Sequence, residues 1–377
     1  MLDLKRQYAP LHQELLHALE HVLQTQQFIL GEPVTHFERL AAEQLGIAHA
    51  LGCSSGTDAL WLALAAAGIG PGDAVITTPF SFFASVSAIL RAGATPVLAD
   101  IDPATFNLSP AAVESALSGP LSVPIKALLP VHLYGQCADW TAFSQIGKEH
   151  GLKLVEDAAQ AYGAEWNGVS AGGLGDIAAF SFYPTKNLSA AGDAGMVTTN
   201  SDQLADRVKS LRQHGMRRRY YHDEVGWNAR MDGFQGAILA VKLKHIESWN
   251  NARRSVAERY GALFAAAGLV DSGLYPSHGV VLPHEVAGSR HVWHQYVIRT
   301  NRRDALREFL AARKIGSEIY YPVPLHLQEA LKPLGYKEGD FPEAERAAGE
   351  VLALPIFPEI REDEQQTAVA AIAEFLS

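Results

Sequence analysis

A lysine and an acidic residue suggest the chemistry this sequence could perform. Lys186 sits in Phe180-Ser181-Phe182-Tyr183-Pro184-Thr185-Lys186-Asn187, just beyond an apolar run that reads as a strand. Asp157 ends another such run, Leu152–Asp157, 29 residues upstream. A lysine amine can bind the aldehyde of pyridoxal phosphate as a Schiff base, and a carboxylate can keep the pyridine nitrogen protonated so that the ring accepts electrons from a carbanion. Each residue also has a plainer use. Surface lysines are mostly solvated, and an Asp after a strand often caps a helix. The pair gains meaning only with a phosphate site and a suitable fold.

Ser54-Ser55-Gly56-Thr57-Asp58-Ala59-Leu60 follows the short apolar run Ala48–Cys53 and opens an Ala/Leu-rich helix. Small residues at a helix N-terminus leave backbone N–H groups free for a phosphate, although Ser or Thr there can equally be an ordinary N-cap. The spacing is not that of a Walker loop. Ser181, on the strand leading to Lys186, could add a hydroxyl. In Pro79-Phe80-Ser81-Phe82-Phe83 one ring, Phe82 or else Phe83, could stack on a pyridine face, while core packing is the commoner use of such a cluster. Gln160 could bond the cofactor's phenolic oxygen or be a capping or surface residue. Gly192-Asp193-Ala194-Gly195 suits either a close backbone approach or a simple turn. His291 and His294 lack a carboxylate to complete a metal set, so they, His132 and His326 read as core or surface histidines and no metal is expected. Asp100 and Asp102 read as a strand end and a turn rather than an acid pair.

These groups need a scaffold. Apolar runs at 74–78, 96–101, 127–132, 152–157, 178–182 and 196–199 read as buried strands. Helical stretches at 57–67, 81–91, 110–117, 140–150 and 203–214 separate several of them, after an amphipathic opening helix at 10–24. This rhythm predicts an α/β domain with a largely parallel sheet covered on both faces. Beyond about residue 250 the pattern changes to a charged helix at 247–266, a Gly/Pro/Ser-rich loop, a strand at 293–299 and helices at 303–312 and 363–375. The expected division is therefore a large α/β domain, 1–250, and a smaller α+β domain, 251–377.

The chain has 377 residues, 48% hydrophobic and 19% charged, as in a globular protein with a large core. A formal charge of −10 argues against a general nucleic-acid surface, leaving Arg217-Arg218-Arg219 as a local basic cluster. Two cysteines give no disulfide framework and suit a reducing cytosol. No signal peptide or membrane span is expected, which makes the predicted location cytoplasmic.

Together the segments resemble the DegT/DnrJ-type pyridoxal phosphate-dependent nucleotide-sugar aminotransferases, a branch of the aspartate aminotransferase fold (fold type I). The markers run in order as Phe28-Ile29-Leu30-Gly31, Ser55-Gly56-Thr57-Asp58-Ala59-Leu60, Val131-His132-Leu133-Tyr134-Gly135, Glu156-Asp157-Ala158-Ala159-Gln160, Ser181–Asn187, Asn228-Ala229-Arg230-Met231-Asp232 and Tyr320-Tyr321-Pro322-Val323-Pro324-Leu325-His326. The resemblance implies that Lys186 is the Schiff-base lysine and acid/base. By the same resemblance Asp157 pairs with the pyridine nitrogen, Gln160 with the phenolic oxygen, and Gly56, Thr57 and Ser181 with the phosphate, while Phe82 stacks on the ring. Asn228 is implied to reach the phosphate in a neighbouring subunit, giving a homodimer with shared active sites. Tyr183, Arg219, Tyr221 and His326 are implied contacts to the sugar nucleotide. L-glutamate is the implied donor, a nucleotide-linked keto-sugar the acceptor and C-3 the aminated carbon, with the 4-keto branch as alternative. Tyr162 stands where the family commonly has histidine, and Ala194-Gly195 where it has Gly-Gly. A subgroup with histidine for the lysine performs dehydration, which Lys186 disfavours. A non-catalytic regulator of the same fold would keep both Asp157 and Lys186. A dinucleotide oxidoreductase would need a GxGxxG after its first strand, and none is present.

Overall fold

The computed structural model describes residues 1–119 and 123–377. Its strands in chain order are β1 (His49–Cys53), β2 (Ala74–Thr77), β3 (Thr95–Leu98), β4 (Ile125–Leu128), β5 (Lys153–Asp157), the short pair β6 (Glu165–Trp166) and β7 (Val169–Ser170), β8 (Ile177–Ser181) and β9 (Gly195–Thr199). Seven of them form the central sheet, in the order β1-β9-β8-β5-β4-β2-β3. From β8 to β3 every neighbour is parallel. β9 runs the other way, antiparallel to both β1 and β8.

Strand side chains alternate between two buried faces. Val75, Ala127 and Ala179 pack with Leu60 and Leu64 of the Gly56–Ala66 helix, whereas the neighbouring Ile76 and Leu128 pack with Phe143 and Ile146 of the Trp140–His150 helix. A sheet covered on both sides has no solvent face, which is why its strands read as unbroken apolar runs. Side-chain caps start the helices between them. Ser55, Ser109, Asp139 and Ser201 accept from the backbone N–H of Asp58, Ala112, Ala142 and Leu204.

Three longer helices lie outside the sequence reading: Glu32–Leu45, Gly233–Leu243 and Pro342–Glu350. Gly233–Leu243 buries most of its residues, so it lacks the one-sided stripe that marks a surface helix. The strand expected at 293–299 begins at Tyr296. Trp293 is left-handed (φ 48°), and His291 and His294 lie on irregular backbone before the strand.

Strand Tyr296–Arg299 pairs antiparallel with Val351–Leu354, which the sequence reading also missed. Helices Arg303–Ala312, Pro342–Glu350 and Glu362–Leu376 accompany this ribbon. The Ile246–Ala266 helix joins the two regions, and its Val256, Tyr260 and Phe264 share a core with Tyr296 and Leu352. We propose that the regions are separate domains divided near residue 250, close to the start of this helix.

In an open parallel sheet the carboxyl ends of the strands form the natural ligand edge. β1 leads there to Ser55–Thr57, β2 to Ser81 and Phe82, β5 ends on Asp157, and β8 leads to Lys186.

Candidate active site

A cavity of about 880 Å³ opens at this edge, closed on its far side by Tyr320, Tyr321, Leu354 and Ile356 from the C-terminal region. Lys186 and Asp157 share it with Gly56, Thr57 and Ser181, and Phe82, Gln160 and Tyr183 also line it.

The Gly56–Ala66 helix begins with two donors to spare. Ser55 Oγ accepts from Asp58 N at 3.0 Å, and Ser55 O accepts from Ala59 N at 2.9 Å. Gly56 N and Thr57 N have no partner among the described residues. Capping and anion binding are thus divided along one turn, with Ser55 capping and the next two amides left free. The turn is fixed sterically from two sides. A Cβ on Gly56 would lie 2.5 Å from Ser181 Cβ, and one on Gly195 would lie 2.2 Å from Ser55 O. These contacts press Ser181 and the start of β9 against the free amides. Unpaired N–H groups flanked by the hydroxyls of Thr57 and Ser181 fit a phosphate.

Asp157 is 3% exposed, and burial pushes its carboxyl above the usual range against the pull of Ser85, Ala159 N–H and Lys186. Ser85 Oγ donates to Asp157 Oδ2 at 2.7 Å, and Ala159 N to Oδ1 at 3.2 Å. Desolvation pushes Lys186 down to about 8, opposed by the Asp157 charge. A carboxylate and a lowered-pKa amine in one cavity beside a phosphate cradle suit pyridoxal phosphate.

Among the aromatics after β2, Phe82 reaches the cavity and is 59% exposed, whereas Phe80 is buried and Phe83 packs against the core. Gln160 Oε1 accepts from Tyr134 N at 2.7 Å, which turns its NH₂ outward to donate to Tyr321 Oη at 3.1 Å. His294 also lines the cavity. Its Nδ1 meets Asn187 Oδ1 at 3.2 Å, while Asn187 Nδ2 donates to Asn250 Oδ1 and Val292 O, each at 2.9 Å. Burial and the Lys186 charge hold this imidazole neutral, its pKa far below the ordinary value. Sequence reasoning did not assign Ser81, Ser85, Tyr321 or His294 to the site. Ser81 and Ser85, four apart after β2, carried little local signal, since Ser81 lies in the bend before the Ala84–Arg91 helix that holds Ser85.

Other residues named from the resemblance lie elsewhere. Asn228 is exposed and accepts from Arg230 Nε at 3.1 Å. Arg219 and Tyr221 belong to the exposed Met216–His222 hairpin, where Arg219 stacks on Tyr220 and Arg218 on Tyr221. His326 also lies outside the cavity lining. It is 2% exposed, its Nε2 lies 2.8 Å from Glu345 Oε1 and its ring packs edge-on to Phe341, so it serves the packing of the C-terminal region and does not line the cavity.

A model of the DegT/DnrJ/EryC1/StrS aminotransferase family matches residues 10–373. The chain belongs to this family. Its members are pyridoxal phosphate enzymes of fold type I, and that cofactor and fold are those of this chain. A protein from Geobacillus stearothermophilus named a pleiotropic regulatory protein is 49% identical over 375 residues, covering 100% of this chain and 98% of the relative. One from Acidithiobacillus ferrooxidans, named UDP-N-acetyl-3-dehydro-alpha-D-glucosamine 3-aminotransferase, is 43% identical over 97% of this chain and 94% of the relative. The crystal structure of S. venezuelae DesV in complex with a ketimine intermediate superposes with a TM-score of 0.93 at 41% identity, covering 100% of this chain and 97% of that one. Among the described residues no helix is long and apolar enough to cross a membrane.

Proposed function

We propose that this chain is an aminotransferase that moves the amino group of L-glutamate to C-3 of a nucleotide-linked keto-sugar. The observation that carries the reading is one cavity in which Lys186 and Asp157 meet the free amides of Gly56 and Thr57. The relative named for 3-amination of a UDP-sugar supports the acceptor and the carbon.

Gly56 N, Thr57 N and the hydroxyls of Thr57 and Ser181 would hold the cofactor phosphate at the positive end of a helix. Asp157 would accept from the pyridine nitrogen, Gln160 would donate to the phenolic oxygen and Phe82 would offer a ring face to the cofactor. Bound pyridoxal phosphate supplies an aldehyde carbon for amine exchange and a ring that draws electrons from the carbon losing its proton. Lys186 anchors it. With the cofactor bound, Lys186 Nζ would be the group in this cavity able to take up and return the substrate proton. The depressed pKa, about 8, leaves more of the lysine as free base near neutral pH than an exposed lysine would have.

Tyr183 contacts the sugar from within the same subunit. Arg219 and Tyr221 reach it from a second copy, together with Asn228, in a cytosolic homodimer. Phe28, Ile29, Tyr220, Tyr221, Val225 and Trp227 are exposed, and exposed apolar side chains of this kind support self-association. Two buried free cysteines support a reducing compartment.

The test is to supply L-glutamate with matched 3-keto and 4-keto sugar nucleotides, follow 2-oxoglutarate and locate the new amine by NMR. Amination at C-4 alone would remove the C-3 assignment. A second reading, a cofactor-binding regulator, is favoured by the relative named as a regulatory protein. It predicts a bound cofactor with no turnover of any sugar in the panel.

A further inference from the structure

Asp157 and Ser85 are 72 positions apart, yet they form the shortest contact described for this carboxylate, 2.7 Å from Ser85 Oγ to Oδ2. Both side chains are buried, and both line the cavity. Ser81 Oγ, also buried and on the cavity wall, lies 3.0 Å from Ser85 Oγ. The hydrogens can be assigned. An ionised carboxylate only accepts, so the one hydroxyl hydrogen of Ser85 goes to Asp157, and Ser81 must then donate to Ser85. Ala159 N occupies Oδ1 in the same way. Each carboxylate oxygen, with one donor apiece, is left with spare acceptor capacity.

We propose that Ser85, supported by Ser81, is a positioning residue that fixes the Asp157 carboxylate as the anionic acceptor for the cofactor's ring nitrogen. This rests on the pyridoxal phosphate reading of the site. The groups facing Asp157 divide by sign. Burial disfavours its charge, whereas Ser85, Ala159 N–H, Lys186 and His132 favour it. Tyr321 feels the Asp157 charge as well and stays a neutral hydroxyl. Removing the Ser85 donor makes Asp157 more basic, so the shared proton moves toward the carboxylate and the ring becomes less positive. The protonated lysine–cofactor linkage is then less repelled and keeps its proton to higher pH.

The experiment titrates the visible absorbance of the cofactor-loaded protein and measures cofactor affinity in the parent, Ser85→Ala and Ser85→Cys. A hydrogen bond to a charged group corresponds to about one pKa unit. The Ser85→Ala titration is therefore expected higher by a fraction of that, up to about one unit, with several-fold weaker cofactor binding and a fall in kcat that exceeds any change in KM. Ser85→Cys keeps the volume but donates weakly, so it should fall between. A folded, loaded Ser85→Ala protein with the parent's titration and affinity would overturn the proposal and reduce Ser85 to a packing role. If Ser85→Ala does not fold, Ser81→Ala decides. It keeps the Ser85–Asp157 bond but removes the hydroxyl that donates to Ser85 Oγ, so it should shift the titration upward by less, and no shift overturns the proposal. A parent protein that develops no visible band with pyridoxal phosphate would refute the underlying reading itself.

Discussion

Gly195 and Ser55 are in such close contact that a Cβ on the glycine would fall 2.2 Å from the serine carbonyl oxygen and 2.7 Å from Gly56 N. The obstacle is backbone, which cannot rotate away as a side chain can. The neighbouring Ala194 is buried among apolar residues and accommodates its methyl group. Of the two positions, only Gly195 is sterically required to be glycine.

Gly195→Ala should therefore damage the phosphate cradle and the fold together. Overpacking of this kind costs about 1–3 kcal/mol, to be read by denaturant unfolding of the cofactor-free protein. Cofactor affinity should fall further than stability alone explains, because the displaced atoms adjoin the free amides of Gly56 and Thr57. Normal affinity with an unaltered unfolding midpoint would show that the turn can move aside.

Lys186→Ala should abolish the visible band of lysine-bound cofactor and cut turnover by orders of magnitude, since one amine serves as anchor and proton carrier. The protein should stay folded, because the substitution removes a desolvated cation. A spectrum and a single-turnover assay on the purified variant check both statements. Turnover near the parent value would remove Lys186 from the mechanism.

What the sequence revealed was what local chemistry encodes. Asp157 and Lys186 could be read because one ends a buried strand and the other follows one, and the Trp140–His150 helix because Asp139 caps it and Gly151, at φ 64°, ends it. The Ser85–Asp157 contact could not be read, because it depends on where the helix after β2 lies relative to β5, two strands away in the sheet. His294 was visible but taken as a core or surface residue. Its place beside Lys186 comes from a chain of amides, Asn250 to Asn187, that joins segments 63 positions apart. His326 had the opposite history, with a motif suggesting substrate and packing assigning it to Glu345.

Lys242 gives a pH-dependent prediction. Its ammonium donates to Ser189 Oγ at 3.0 Å with no salt bridge among the described residues, and burial pushes its pKa down to about 8. A lysine depressed in the folded state releases its proton on folding between that value and the ordinary 10.5. In this window the unfolded chain binds more protons, so stability contributed by this residue rises with pH. Lys242→Met removes the penalty. Its melting temperature relative to the parent should be highest at pH 7–8 and decline by a few degrees as pH approaches about 10.5. Thermal melts of both proteins across this range check the sign, and a difference that does not change with pH would place the ammonium in contact with water.

Asn228 tests whether two chains build each site. It lies on the exposed surface, outside the lining of the cavity that holds Lys186. A phosphate ligand in that position can act only on another copy. Phe28 is stacked on Phe234, and the isolated Ile29–Asp232 bridge ties the Phe28–Ile29 segment to the irregular stretch that follows Asn228. Lys186→Ala and Asn228→Ala homodimers should each be impaired. A heterodimer of the two carries both lesions in one site and neither in the other if Asn228 works across the interface, so mixing should restore activity toward half the parent value per dimer. If Asn228 acted within its own subunit, each heterodimer site would carry one lesion and mixing would restore nothing. Differentially tagged subunits, with the heterodimer isolated before assay, separate the two outcomes.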